Sequence, residues 1–311
     1  MPEQTRYLPE GLGQRASHDL TELRAAMERG AILEGVVQRC DVRHTLHIPL
    51  GSIAGRIPRE EVIAPWISGA ERDIAVLSRV GRPVAFRIRS ISADSRGAPV
   101  ALLSRRAAQE EARDWFLEHL RPGMVLPCRV THLESFGAFL DIGCGVIALL
   151  PIEMISVSRI THPRERFTVG QKILAAVHTI DHARCRFTMT HKELLGTWME
   201  NASRFAPGET VRGTVRCVKE YGSFIELAPN LSGLADQHED LQPGDGVSVY
   251  IKSIRPERMK IKLQVIQRLP PDTEPEPLRY QITDGCLERW VYSPPSCEKP
   301  PAETVFTAFS P

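Results

Sequence analysis

Two stretches of this chain align without a gap, and that repetition limits what it can fold into more than any other feature. RPGMVLPCRVTHLESFGAFLDIG, from Arg121, lies over APGETVRGTVRCVKEYGSFIELA, from Ala206. Pro122-Gly123 falls on Pro207-Gly208, Val130 on Val215, and Leu140 and Ile142 on Ile225 and Leu227. Between them, Phe136-Gly137-Ala138-Phe139 falls on Tyr221-Gly222-Ser223-Phe224. Further on, VGQKILAAVHTIDHARCRFTMT from Val169 matches PGDGVSVYIKSIRPERMKIKLQ from Pro243 at an offset about eleven residues shorter, so the later unit has lost part of its central connection. A weaker copy precedes both: GAILEGVVQRC from Gly30 resembles the opening strand and VGRPVAFRIRSISADSRGAPVALLSRR from Val80 the closing hairpin. LHIPLG stands there in place of the aromatic run. Repetition on this scale means several small units in series.

Each unit reads as strands. In KILAAVHTID and SVYIKSIRP every second residue is apolar, the period of a half-buried strand, and glycines and Pro-Gly pairs punctuate the runs. About five short strands in some 60 to 75 residues suit an oligonucleotide-binding-type barrel, which closes the sheet edges and offers a face and loops to a single strand. The expected fold is all-β: tandem five-stranded barrels at 30–107, 121–192 and a shortened one at 206–268. Helical linkers at 108–120 and 193–205 join them, with Trp115, Phe116 and Leu120, then Leu194, Trp198, Ala202 and Phe205, on one stripe each for inter-barrel packing. The N-terminal segment 1–29 holds a helix, about Asp19 to Arg29, stopped by Gly30. Residues 269–311 form a Pro-rich acidic tail expected to be largely disordered. Within it RYQITDGCLERWVY is apolar enough for a hairpin turning at Asp284-Gly285 or for a partner-binding peptide.

Gly123, the F-G-A-F of 136 to 139, the D-I-G of 141 to 143, Val169-Gly170-Gln171, and Asp181 followed by Arg186, Thr190 and Lys192 resemble the S-one RNA-binding domain. That repeat is named after the largest protein of the bacterial small ribosomal subunit. The resemblance covers about residues 30 to 268. It implies sequence-tolerant binding of single-stranded, mRNA-like RNA, in translation or RNA decay. It also implies that the rings of Phe136, Phe139, Tyr221 and Phe224 form stacking platforms. Unpaired bases offer two faces to such rings, at about 1 to 3 kcal/mol per base with little sequence preference. The alternative assignment, rings in the barrel core, is opposed by the alternation that sends Leu140 and Ile142, or Ile225 and Leu227, inward. The glycine between the rings suits a bulge that would bring both onto one face.

Basic residues closing the units, Arg186 and Lys192 in the second and Arg258, Lys260 and Lys262 in the third, are candidates for backbone phosphates, or simply for a solvated strand face. The family's histidine beside the stacked bases is replaced by Pro151 and by Asp236, which would repel a phosphate. Near that point the third unit gathers Asp236, Glu239 and Asp240, while the longer loop ISVSRITHPRERF of the second adds Arg159, Arg164 and Arg166 beside its platform. The second barrel is therefore expected to bind RNA more tightly. In the first unit His44 and His47 fall near the missing rings. That unit is expected to dock a protein, a small-ribosomal-subunit component or another, ahead of binding RNA by charge. A scaffold whose barrels mainly dock proteins is the other functional reading.

A formal net charge of +1 over 311 residues excludes a protein held to nucleic acid by bulk charge alone. Seven scattered cysteines, never C-x-x-C, argue against disulfide frameworks and zinc and for a reducing cytoplasm. No apolar run is long enough for a membrane span. His178 and His182 lie on a strand-to-turn segment where their spacing does not bring them together, and nucleotide or nucleophile-elbow fingerprints are missing. No cofactor, metal or catalytic residue is expected.

Overall fold

The computed structural model describes residues 6–17, 19–67, 72–237, 240–270 and 278–307. In the first unit, α1 (Leu20–Glu28) is capped by Asp19, whose carboxylate accepts the Thr21 N–H, and stops before Gly30 at φ +62°. Strands β1 (Ile32–Val36), β2 (Arg39–Cys40), β3 (Leu46–Leu50) and β4 (Ile53–Ile57) follow. A short α2 (Asp73–Leu77) precedes β5 (Pro83–Ala93) and β6 (Pro99–Ser104). The second unit is built from β7 (Val125–Glu134), β8 (Gly137–Gly143), β9 (Val146–Pro151), β10 (Lys172–Asp181) and β11 (Arg186–Thr190), and α3 (Arg105–His119) precedes it. The third comprises β12 (Thr210–Lys219), β13 (Gly222–Ala228), β14 (Leu231–Ala235), β15 (Gly246–Arg255) and β16 (Lys260–Arg268), after the short α4 (Trp198–Ala202).

Units two and three are closed five-stranded barrels with the same strand order. Closure depends on one residue of the first strand that pairs on both sides: Arg129 with Lys172 and Asp141, and Thr214 with Gly246 and Glu226. Unit one differs from the closed barrel expected of it. Its ladder runs β1-β5-β6-β4-β3-β2, and the two ends are halves of one segment. The chain crosses between neighbours at Val37, whose N–H donates to Arg82 (3.0 Å), and Gln38, whose N–H donates to His47 (2.8 Å). No described residue belongs to both ladders, so the sheet stays open at that seam.

The units are sewn together at matching positions. Asp141 and Glu226 fall on each other in the repeat, and both are buried although their side chains leave the barrel outward. Asp141 accepts N–H bonds from Gly143, Gly145 and, at 2.8 Å, from Glu10 of the N-terminal segment. Glu10 also takes a two-pronged bond from Arg105 at the start of α3 (2.6 and 2.9 Å) and the Ala85 N–H of unit one (3.0 Å). Glu226 accepts from Arg166 of barrel two at 2.5 Å and from Arg216 at 2.8 and 3.0 Å. Asn230 completes this second joint, accepting the Val157 N–H (3.0 Å) and donating to the carbonyls of Lys192 (2.6 Å) and Gly196 (2.8 Å). Trp115, Phe116 and Leu120 are buried as packing residues, with the Tyr7 ring 5.7 Å from Trp115.

The first joint carries a titration. Burial, and then the nearby Glu10 carboxylate, push the Asp141 carboxyl up to about 7. Although burial opposes its ionisation, Arg105 holds Glu10 below the ordinary glutamate value. An unfolded aspartate releases its proton near pH 4, so from about pH 4 to 7 the folded chain keeps a proton that the unfolded chain has lost. Stability from this group is full below that window and falls as pH rises through it. Glu10 acts on the acid side instead. Urea unfolding across the window should show the decline in the native chain and a flatter profile in Asp141→Asn; identical slopes would remove Asp141 as the cause.

The tail is ordered where a disordered segment was expected. Among residues 278–307, the Tyr280 hydroxyl meets the Leu174 N–H (3.2 Å) and His191 Nε2 (3.1 Å). The Val125 N–H donates to Gly285, and Trp290 and Tyr292 are buried against barrel three. The hairpin forms between β17 (Arg289–Val291) and β18 (Glu303–Val305), not at Asp284-Gly285, which lies along the opening strand of barrel two. Proline and acid content predict weak self-association, but this segment folds by borrowing other units' apolar surface. Residues 271–277 and 308–311 of the tail lie outside the described residues.

Candidate nucleic-acid interface

Strand pleating decides what each barrel shows. Leu140 and Ile225 are fully buried, and the residues before them, Phe139 and Phe224, point outward. Phe136 and Tyr221 sit in the turns just before β8 and β13, outside the alternation, with 54% and 67% of their surfaces exposed. Each barrel thus carries two rings at right angles, with centroids 6.0 Å apart for Phe136 and Phe139 and 6.3 Å for Tyr221 and Phe224. The glycine between them does not form the expected bulge. It permits close approach: a Cβ on Gly137 would stand 2.5 Å from the Leu150 carbonyl, and one on Gly222 2.3 Å from that of Ala235. The bulge lies on the opposite strand, between Val130 and His132 and between Val215 and Cys217.

Register extends each platform sideways. In barrel two Phe139 is level with His132, Leu149 and, through Leu149, Thr188. In barrel three Phe224 is level with Cys217, Leu234 and Lys262. Two neighbours of the rings thereby emerge. His132, which sequence reasoning missed, has its ring 6.2 Å from Phe139 and its Nε2 2.6 Å from Glu134. Lys262 stands in the Phe224 row, one outward position past Lys260. His132 follows from counting along the hairpin once the turn at Phe136 is fixed, a signal the sequence contained, whereas Lys262 joins its row through the parallel pairing of β14 with β16.

The other cations are dispersed. Arg186 is exposed on β11, opposite Asp181, one outward position from Thr188. Lys192 is not on a strand; it lies half-buried in the turn at the joint between barrels. Arg258 is exposed in a turn with Nε 3.5 Å from Glu298 of the tail, and Lys260 is exposed at the start of β16. Arg159 and Arg166 of the loop do not sit beside barrel two's platform. Arg166 is buried on Glu226, and Arg159 reaches a cleft beside Phe224, the ring of barrel three. The carboxylate of Asp236 is offset by Lys252 at 3.3 Å, and Glu239 is outside the described residues. Two of the three loop cations expected beside the platform of barrel two, Arg159 and Arg166, therefore lie elsewhere. In unit one, His47 Nε2 is bonded to Asp41 (2.9 Å) and His44 Nδ1 to Arg59 (2.8 Å), and both residues are half-buried.

Among the described residues no group of three His, Cys, Asp or Glu side chains is placed to hold a metal, and no helix is long and apolar enough to cross a membrane. Tandem oligonucleotide-binding-type barrels, each displaying a paired aromatic surface, define the class to which this chain belongs. Residues 120–185 match the family described as the RRP5 S1 domain. The chain is similar to S1 ribosomal proteins: it is 32% identical over 185 residues to small ribosomal subunit protein bS1 of Staphylococcus aureus (strain COL), covering 54% of this chain and 47% of that protein. It is 27% identical over 282 residues to bS1 of Leuconostoc lactis, covering 84% and 64%. A bS1 homolog of Bacillus subtilis (strain 168) is 28% identical over 201 residues, covering 59% and 52%. The chain thus spans about half the length of the curated relatives it matches. Among solved structures, a multidomain protein with nucleic acid binding domains from Streptococcus pneumoniae is similar over 76% of this chain and 74% of its own, at 12% identity and a TM-score of 0.25.

Proposed function

We propose that this chain binds single-stranded, mRNA-like RNA in the cytoplasm, by base stacking on two barrel platforms, and works in translation on or beside the ribosome. The observation that carries this reading is the exposure of the same two rings at the same right-angled geometry in both closed barrels. A scaffold gains nothing from leaving large aromatic rings bare twice, whereas unpaired bases stack on them. The kinship with ribosomal proteins supports translation as the setting, and the arrangement is one for binding, with no catalytic step. Unit one lacks the rings and exposes Ile74, Leu77 and Val80 around α2, which favours its use for docking a protein, a small-subunit component by kinship.

Titration of the whole protein with a fluorescein-labelled oligouridylate tests the reading. A few phosphate contacts should give a slope of log affinity against log salt of about −2 to −3, with stacking supplying the remainder. A duplex of equal length should compete poorly. Equal or tighter binding of the duplex would overturn the proposal.

A further inference from the structure

Beside the Phe224 ring lies a cleft of about 420 Å³ that barrel three does not make alone. Val157 and Arg159 enter it from the loop of barrel two, Cys217, Lys219 and Phe224 from β12 and β13, and Tyr292 from the tail. We propose that it takes one nucleotide of a bound RNA strand, the one next to the base stacked on Phe224, with the base against Val157 and Phe224 and its phosphate on Arg159 and Lys219. The inference rests on the RNA-binding reading above and adds a subsite contributed by two barrels at once.

The wall is fixed before any ligand arrives. The Ser158 hydroxyl is 2.7 Å from that of Ser232, its N–H donates to the Pro229 carbonyl (3.0 Å), and the Val157 N–H donates to Asn230. Arg216 lines both this cleft and the joint beneath it. Arg166 and Arg216 are committed to Glu226 and Glu165, whereas Arg159 and Lys219 are exposed and have no ion-pair partner among the described residues. Apolar walls with two uncommitted cations at the mouth suit a flat base carrying one phosphate, and the volume admits little more. A protein segment would find no unpaired strand edge here, since barrel three is closed. Beside Phe139 on barrel two stands His132, already paired with Glu134.

The test uses the full chain and a fluorescein-labelled oligouridylate of about ten nucleotides, within the span of one or two such barrels. Arg159→Ala combined with Lys219→Ala should weaken binding about tenfold and reduce the salt slope by about one to two. Val157→Asp should weaken it as well. Arg164→Ala, in the same loop but outside the cleft, should leave affinity unchanged. Bound oligonucleotide should also slow alkylation of Cys217, read by peptide mass spectrometry. If Tyr221→Ala with Phe224→Ala weakens binding and the cleft variants do not, the cleft inference falls and the platform reading stands. If the native chain binds no oligonucleotide, both fall. An equal effect of Arg164→Ala would reduce the result to loop charge and overturn the subsite, as would unprotected Cys217, which would make a protein segment the better occupant.

Discussion

Replacing Phe139 and Phe224 together by alanine is expected to weaken binding of an unstructured oligonucleotide by roughly 2 to 5 kcal/mol while the protein remains folded. The two rings serve different barrels, so their losses should be nearly additive. Their structural contribution is small because each touches its partner ring edge-on at the surface, an arrangement worth about 0.5 to 1.5 kcal/mol, while the core beneath is closed by Leu140 and Ile225. An anisotropy titration paired with a thermal melt separates the two effects. Native affinity in a folded double variant would end the stacking account.

The largest stability effect should come from Arg105→Met. Arg105 and Glu10 are both buried, and their two-pronged pair is the centre of the joint between the first two units. Taking away one partner leaves the other charged in a place without water, which typically costs about 3 to 5 kcal/mol, whereas removing both is far cheaper. The double change Glu10→Leu with Arg105→Met should therefore recover most of the loss, short of about 1 to 2 kcal/mol for the Ala85 N–H left without its acceptor. Urea denaturation of the three proteins decides this. A native midpoint in Arg105→Met would show that the ion pair does not hold the joint.

The two closed barrels were legible because short alternating strands between glycine turns leave little choice of fold, and because the same pattern occurs twice. Exposure of Phe139 and Phe224 followed from the same alternation. What lay outside local pattern was anything settled by contacts distant in sequence. Arg166 looked like a loop cation, yet its partner Glu226 lies on the next barrel. The alignment did hold a clue, since it sets Asp141 on Glu226, a carboxylate at an outward strand position in both units. The tail misled for a related reason: its Tyr292 hydroxyl donates to the Asn230 carbonyl and its Tyr280 to His191, partners its own composition does not reveal. The open seam of unit one depends on two backbone bonds at Val37 and Gln38, below what a sequence pattern resolves.

The joint made by Glu226, Arg166, Arg216 and Asn230 has a bearing on which RNAs can be held. Barrels on a loose linker would adjust their separation to each transcript. On the proposed stacking reading the protein is the stiff member and the nucleic acid the flexible tether, so a second stacking event would occur at an effective concentration set by the length of unpaired strand between the two sites. A strand too short to reach gains nothing from the second platform, and one folded into a hairpin between them must melt first. The pair of barrels would then act as a gauge of contiguous single-strandedness, indifferent to the letters it measures.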